Sequence, residues 1–218
     1  DPTVERKSGF LIPSIKNAAN SANFLTIPYF SVVSQNKDIT FSPRFYSNSN
    51  FLLQTEYRQE NKRSSHVSDF SFFNEKNNDD KTHFFYRYNR FFESNYFEDV
   101  NLNLKVERTS NDTYLRKNKI SSPIISSLNI LENNLGLNLY SEDLSINSEI
   151  KVYQNLDKSN NDRYEFILPK FDIVKKIENK TNLDGNFLLK SNNFIRSYAT
   201  NILEKVNVNN FIFNSNPK

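Results

Sequence analysis

The chain has 218 residues, of which 20 are Phe and 11 are Tyr, yet only 37% of it is hydrophobic and the mean hydropathy is −0.68. Its formal net charge is +3, and the 28 basic and 25 acidic residues are interspersed, without the basic stripe typical of nucleic-acid-binding proteins. There is no cysteine, which excludes a disulfide framework, a thiolate metal site and a catalytic thiol in this sequence.

No segment predicts a transmembrane helix. The longest nearly apolar stretch, residues 24–33, is interrupted by Thr26, Pro28 and Ser31, whereas a spanning helix needs about 18 apolar residues. Large apolar groups spread among polar residues predict strands with one apolar and one polar face. Such strands occur in transmembrane barrels and also in soluble all-β proteins. The lack of Met and of a signal-peptide pattern predicts an internal segment or a processed form.

The first two predicted strands, at residues 9–15 and 24–30, each contain a proline. Pro13 and Pro28 have no backbone N–H to donate to a neighbouring strand, so proline is normally restricted to strand ends, edges and bulges. Two interpretations follow. Either the prolines mark a weak seam between strands, or they simply lie where strands end.

The following segments alternate with a period of two, which is typical of strands rather than helices. In each, apolar side chains share one face and polar side chains mostly share the other. The clearest apolar sets are Ile39, Phe41 and Phe45; Phe51, Leu53 and Tyr57; Phe84, Tyr86, Tyr88 and Phe92; and Val100, Leu102, Leu104 and Val106.

Clusters of Asn, Ser and Asp predict the turns between strands. They lie at residues 35–38, 47–50, 59–65, 74–80, 110–112, 132–134, 157–162, 178–185 and 207–210. The intervening segments are about 9 to 14 residues long, near the length of a tilted strand that crosses a bilayer. We therefore predict roughly eleven strands in an all-β, antiparallel, up-and-down transmembrane barrel of which this chain is a part.

Three irregular places interrupt this pattern. The apolar face changes parity between Leu139 and Leu144, and again between Leu168 and Phe171, where a bulge or a turn would each explain the change. Residues 110–122 form the longest stretch without alternation, and we interpret them as an extracellular-type loop rather than a linker.

The sequence predicts neither an enzyme nor a cofactor or metal site. His66 and His83 are 17 positions apart beside predicted strands, and both are interpreted as polar strand positions. No G-x-S-x-G, Walker, Rossmann or HExxH pattern is present.

Four sequence motifs resemble the LptD (OstA/Imp) family of lipopolysaccharide-assembly proteins. They are RKSGFLIPS at residues 6–14, IPYF at 27–30, DITFSPRFYS at 38–47 and EYR at 56–58. The 15-residue spacing of the two prolines is similar to that of the family's gate prolines. The motifs extend over roughly residues 5–58, and beyond them the likeness is one of architecture.

The resemblance implies that residues 1–218 are the first part of an outer-membrane barrel in a Gram-negative bacterium. In the family this barrel has about two dozen strands and follows a periplasmic jellyroll domain, and this chain would supply under half of the barrel and none of the jellyroll. The implied partners are lipopolysaccharide, an LptE-like lipoprotein in the lumen, and an LptA-type periplasmic bridge that binds through the jellyroll.

The resemblance also implies a lateral gate between the first and last strands. Its residues in this chain would be Gly9, Phe10, Leu11, Ile12, Pro13, Pro28 and Tyr29. A second hypothesis is that Arg44 and Arg58, with Glu56 nearby, contact lipid phosphates or the luminal lipoprotein. The alternative is that these charges are solvated and balance each other. The alternative functions for the chain are a soluble or surface β-sandwich binding module and a generic porin-like barrel.

Overall fold

The computed structural model describes residues 6–18, 21–76, 79–178, 183–198 and 202–217. Fourteen strands lie in this part of the chain. They are β1 Gly9–Phe10, β2 Ser14–Ala18, β3 Ser21–Thr26, β4 Tyr29–Ser34, β5 Lys37–Tyr46, β6 Phe51–Asn61, β7 Ser64–Asn74, β8 Lys81–Phe92, β9 Asp99–Thr109, β10 Ile130–Tyr140, β11 Leu144–Asn155, β12 Tyr164–Glu178, β13 Leu183–Tyr198 and β14 Ile202–Pro217. A short helix, α1, spans Tyr114–Lys117, and a 3-10 helix spans Asn160–Arg163.

The chain divides into two compact units. Unit 1 comprises Asp1–Arg87 and Val106–Asn129, and unit 2 comprises Tyr88–Lys105 and Ile130–Lys218, so β8 and β9 contribute residues to both. In unit 1 the order of neighbouring strands is β1-β4-β5-β6-β7-β8, with β3 also on β5 and β2 on β3. In unit 2 it is β9-β10-β11-β12-β13-β14.

The predicted all-β, antiparallel, up-and-down class is confirmed. Most successive long strands pair as hairpins with short connections, as the paired registers of β5 with β6 and of β13 with β14 illustrate. The exception is the connection of β9 to β10, which spans residues 110–129. In the described part of the chain β1 and β14 each have a strand neighbour on one side only. The sheet is therefore open, as expected for part of a barrel. None of the described helices is long and apolar enough to cross a membrane.

The burial of side chains in unit 1 is inverted relative to a water-soluble sheet. One face, which we call the apolar face, has exposed phenylalanines. They include Phe41, Phe45, Phe70, Phe72 and Phe84. The opposite face, which we call the polar face, is buried although much of it is hydrophilic. Its buried residues include Asp38, Arg44, Gln54, Asp69, Ser71 and His83, with Leu52, Phe73 and Phe85.

The described residues contain fourteen strands where roughly eleven were predicted, and two of the additional strands arise because prolines divide two predicted strands. The first is split into β1 and β2 at residues 11–13, and the second into β3 and β4 at residues 27–28. The turns predicted at residues 132–134 and 207–210 are wrong, since β10 and β14 continue through them. Asn favours turns, but it is equally suited to the polar face of a strand.

The two changes of parity have different causes. Between Leu139 and Leu144 the chain turns, with β10 ending at Tyr140 and β11 beginning at Leu144. At Pro169 it does not turn. There β12 continues, but its register with β13 shifts between Ile167 and Lys170, which is a bulge. A bulge tolerates proline because the extra residue makes no ladder bond.

Candidate functional site

The breaks at Pro13 and Pro28 face each other across the first hairpin. Phe10 of β1 lies opposite Tyr29 of β4, and Ser14 of β2 lies opposite Thr26 of β3. Between these two pairs the outer strand runs from residue 10 to residue 14, a step of four, while the strand opposite runs from residue 29 to residue 26, a step of three. The extra residue and both prolines lie in this interval, so the ladder is interrupted on both chains at the same level.

Backbone hydrogen bonds across the break are single where a regular antiparallel ladder has two. The Leu11 N–H donates to the Pro28 carbonyl at 2.9 Å, and the Ile27 N–H donates to the Pro43 carbonyl at 3.2 Å. In a hydrogen-bonded antiparallel pair each residue donates to the other. Pro28 and Pro43 have no N–H, so the return bonds cannot form. Residues 27 and 28 are therefore joined by single hydrogen bonds, to Leu11 on one side and to β5 on the other.

The side chains at this edge are apolar and largely uncovered. Ile12 is 91% exposed and Phe10 is 76% exposed, while Leu11 is about half exposed. The Phe10 ring meets the Tyr29 ring edge-on, with centroids 5.1 Å apart. Around Gly9, no atom lies within 4 Å of the place a Cβ would take. The seven predicted gate residues therefore lie together in the first hairpin. Residues 9–13 form its apolar outer edge, and Pro28 and Tyr29 lie on the next strand, between that edge and β5.

Two polar contacts tie the chain before the break to the neighbouring strands. Arg6 donates from Nη1 to the Asp38 carboxylate at 2.8 Å, and the Val32 N–H donates to the Ser8 hydroxyl at 2.8 Å. Asp38 is buried on the polar face. The segment is thus held from Arg6 to Phe10, and the stretch that follows is the loosely bonded part.

The three predicted luminal charges occupy two separate places. Arg58 and Glu56 form an ion pair along β6, and Arg58 lies opposite Asp38. Arg44 lies elsewhere on the polar face, opposite Leu52, and is only 8% exposed. The Arg58 side chain is half exposed and accessible to a partner, whereas Arg44 is occupied within the chain.

The polar face of unit 1 is covered by residues 110–129, which we call the inner loop. Tyr114, Leu115, Ile120 and Ile124 of this loop are buried. Side chains from several strands bind it. Gln54 donates to the Ser121 carbonyl at 2.9 Å, Arg87 donates to the Pro123 carbonyl at 3.2 Å, and the Ser71 and Tyr114 hydroxyls lie 2.5 Å apart. The predicted loop therefore exists, and it packs on the strands.

Ser71, His83 and Asp69 are linked in the order of a serine hydrolase triad, but with the two histidine nitrogens exchanged, since in the triad Nε2 faces the serine and Nδ1 the carboxylate. Ser71 Oγ lies 2.5 Å from His83 Nδ1, and His83 Nε2 lies 3.1 Å from Asp69 Oδ1. The triad is recognised by geometry and roles, but its serine must reach a substrate carbonyl. Ser71 is fully buried, and its hydroxyl is already in contact with the Tyr114 hydroxyl, so a substrate carbonyl cannot reach it. The arrangement is therefore a closed hydrogen-bond chain that Gln54 extends by donating to Asp69 at 2.9 Å.

Sequence reasoning missed this cluster. Ser71 and Asp69 precede His83 by 12 and 14 positions, and only the register of β6, β7 and β8 brings them together. The one local indication was that Asp69 and Ser71, two positions apart, lie on one face of a strand and alternate with aromatic residues, with His83 in the next strand. Among the described residues no three His, Asp or Glu side chains are placed to share a metal ion.

The polar face of unit 2 has a row of alternating charges across four strands. Lys105 donates to Glu132 at 3.0 Å, and Lys151 and Lys170 approach Glu149 at 2.9 and 3.1 Å. The pairs with Lys105 and Lys170 join neighbouring strands, and the pair with Lys151 lies within β11. The row therefore supports the register of β9 on β10 and of β11 on β12. Pairs of this kind contribute little singly in water and more as a network.

Comparison with known proteins finds relatives that are LPS-assembly proteins. The chain is 28% identical over 158 residues to the LPS-assembly protein LptD of Nitrosococcus oceani, a match that covers 71% of this chain and 20% of that protein. It is 33% identical over 76 residues to LptD of Pseudomonas putida, which covers 35% of this chain and 8% of that protein. Against LptD of Cupriavidus pinatubonensis, identity is 38% over 56 residues, or 26% of this chain and 7% of that protein.

These matches support a relationship to the LptD family. No family model matches the chain. The matched region spans a fifth or less of the length of these relatives.

Proposed function

We propose that this chain is the gate-side part of the wall of an outer-membrane β-barrel that delivers lipopolysaccharide to the outer leaflet. The observation that carries the proposal is the coincident break at Pro13 and Pro28, in a first hairpin whose outer strand is apolar and exposed. The LPS-assembly relatives supply the substrate class. The chain's role is transport, with no catalytic step of its own.

The distribution of side chains supports a wall in lipid. A soluble β-sandwich would bury its apolar face and leave its polar face in water. In unit 1 Phe41 and Phe70 are exposed, while Ser71 and Asp69 on the opposite face are fully buried. Apolar side chains facing outward and polar ones facing inward are the pattern of a transmembrane barrel. A generic porin-like barrel shares this pattern but has no need of the break.

The gate would consist of seven residues on two neighbouring strands of the first hairpin. They are Gly9, Phe10, Leu11, Ile12 and Pro13 on the outer strand, and Pro28 and Tyr29 on the inner strand. An amphiphile that leaves a barrel sideways needs two strands to part, because its headgroup stays in a polar lumen while its acyl chains enter lipid. Unsatisfied backbone groups make such parting costly in a bilayer. Each hydrogen bond absent at the break removes about 0.5–1.5 kcal/mol of net stabilisation from the first hairpin, so the hairpin that carries the gate-side edge is easier to move. The exposed Phe10 and Ile12 side chains would line the route of the acyl chains.

The proposed partners follow from this role. They are lipopolysaccharide itself, an LptE-like lipoprotein inside the barrel, and an LptA-type periplasmic bridge that reaches the barrel through a jellyroll domain. The half-exposed Arg58, paired with Glu56, is the accessible charge on the polar face for a phosphate or for the lipoprotein. Crosslinking from Arg58 to either partner would support the contact, and labelling by bulk reagent alone would favour solvated charges.

The test replaces each gate proline in the protein as its gene encodes it. Pro13→Ala and Pro28→Ala restore one backbone donor each, so we expect less surface lipopolysaccharide and greater sensitivity to large antibiotics. The matched control is Pro169→Ala, which changes a strand proline at the β12 bulge. Unchanged surface lipopolysaccharide in both gate variants, or an equal loss in the control, would contradict the gate.

A further inference from the structure

The inner loop is connected to the gate-side strands through β5. This strand is continuous from Lys37 to Tyr46, and both β3 and β4 pair with it. Arg44 of β5 lies opposite Thr26, the last residue of β3 before the break. Its position therefore lets one side chain reach both the interrupted strand and whatever covers the polar face.

Arg44 contacts β3 and the inner loop at once. Its guanidinium lies over the Phe24 ring of β3, 4.4 Å from the centroid, and its Nη1 donates to the Asn118 carbonyl. The Tyr46 hydroxyl donates to the side-chain oxygen of Asn118 at 2.7 Å, and the Phe24 and Tyr46 rings are 5.2 Å apart. Phe24, Arg44 and Asn118 are all at least nine-tenths buried. They form a compact tie between loop and strand.

The loop is also fixed four residues earlier, at Tyr114, by a second contact with the strands. Tyr114 contacts Ser71 of β7, and the Asn118 amide donates to the Tyr114 carbonyl at 3.2 Å. This contact therefore holds α1 on β7, and Asn118 at the end of α1 carries that restraint to Arg44. Because the loop is fastened to β7 as well as to Arg44, it restrains β3 rather than moving with it.

We infer that Arg44 is a positioning residue that couples the inner loop to β3, so that the seated loop holds the gate-side edge closed. This inference rests on the proposed gate. Displacement of Asn118 leaves the guanidinium without its carbonyl acceptor, and β3 loses the cation–π contact that presses Phe24 onto the polar face. The edge beside the break then loosens. A partner that lifts the loop would thereby favour opening.

Arginine is required for this tie because the planar guanidinium uses its face on the ring and its edge on the carbonyl together. A lysine ammonium is a point charge without a flat face. Arg87 provides a natural comparison, because it too donates to a backbone carbonyl of the inner loop, at Pro123. It does so from β8, away from β3.

The test is hydrogen–deuterium exchange of the protein in detergent, as its gene encodes it, followed in peptides that cover β3 and β12. Arg44→Gln is expected to speed exchange of β3 by at least about tenfold and to leave β12 unchanged. Arg87→Gln, the matched control, is expected to leave β3 unchanged. Equal effects of the two variants on β3, or no effect of Arg44→Gln, would overturn the inference.

A conservative variant keeps the test decisive if Arg44→Gln does not fold. Arg44→Lys retains the charge, and we expect β3 exchange between that of the wild type and that of a loosened edge. Wild-type exchange in Arg44→Lys would overturn the role of the guanidinium. The measurement involves no lipopolysaccharide, so it separates the two proposals. A loosened β3 with normal lipopolysaccharide delivery would leave the coupling standing and remove the gate.

Discussion

The hydroxyl of Tyr114 lies 2.5 Å from the hydroxyl of Ser71, and neither side chain is exposed to solvent. One assignment of protons satisfies the whole buried chain. Tyr114 donates to Ser71, Ser71 donates to His83 Nδ1, and His83 Nε2 donates to Asp69. Because every group is both buried and satisfied, the loss of one member leaves a neighbour without its partner.

Removal of the Tyr114 hydroxyl tests this dependence. Tyr114→Phe keeps the ring but leaves the Ser71 oxygen without its donor, so we expect a loss of about 1–3 kcal/mol in the free energy of unfolding. The measurement is the urea midpoint followed by pulse proteolysis. Tyr140→Phe, at an exposed position at the end of β10, is the control and should change little. Equal midpoints for Tyr114→Phe and the wild type would show that the bond is dispensable.

The same hydroxyl should resist alkaline titration. Burial raises the pKa of the Tyr114 phenol above its ordinary value, with the Ser71 hydrogen bond acting in the other direction. Below pH about 10 both folded and unfolded chains keep the proton, so its contribution to stability is constant. As pH rises further the unfolded chain ionises first, and stability falls. The ultraviolet difference between wild type and Tyr114→Phe should therefore show no tyrosinate at about pH 11 until the protein is denatured.

A charge on the apolar face distinguishes a lipid-facing wall from a wet surface. Phe70 is exposed in the middle of β7, and Phe70→Arg would cost up to about 2–4 kcal/mol in a bilayer but almost nothing in water. We expect a reduced yield of folded protein in membranes. Tyr96→Arg, at an 86% exposed aromatic between β8 and β9, should be tolerated. Normal assembly of Phe70→Arg would argue for the soluble alternative.

Two glycines of unit 2 should respond differently to an added methyl group. A Cβ at Gly185 would lie 2.6 Å from the Asn214 backbone oxygen, while one at Gly136 would meet the side chain of Asn103 at 2.5 Å. A side chain moves more easily than a strand. We expect Gly185→Ala to cost roughly 1–3 kcal/mol and Gly136→Ala less.

The double variants supply the control for this comparison. Asn103→Ala should relieve Gly136→Ala, because it removes the atoms that the new methyl group meets. Asn214→Ala should not relieve Gly185→Ala, since the obstacle there is backbone. Urea midpoints of the four variants measure both. Rescue in the second pair would contradict the register of β13 on β14.

Much of the wall could be predicted because a two-residue period is a local property. Val100 to Val106 alternate in the sequence as they do in β9, and Pro13 and Pro28 interrupt strands because a missing N–H has the same effect in any fold. The break was predictable as either a weak seam or strand ends. In the structure both prolines lie at strand ends. Because these ends fall at the same level on two neighbouring strands, the hydrogen bonding between the strands is also weak there.

The remaining features depend on contacts between distant segments. Asn133 and Asn134 have the composition of a turn but lie within β10, where Asn134 donates to Asn103 of β9 at 3.2 Å. The burial of Tyr114 on Ser71 likewise requires the inner loop to fold back over β7. The sequence of neither segment indicates which residues it contacts, because these contacts depend on the register of several strands.

The pairing of β3 and β4 with β5 has a consequence for how the wall would part. Thr26 lies opposite Arg44 and Tyr29 lies opposite Phe41, so both chains advance by three residues across the break and the stagger between them is unchanged. In a closed barrel the sum of such staggers is the shear, which with strand number fixes tilt and diameter. An opening at the break would leave the shear of the strands behind it intact. The first hairpin, β1 to β4, would move relative to β5 without a change in the stagger of the unit 1 strands that follow it.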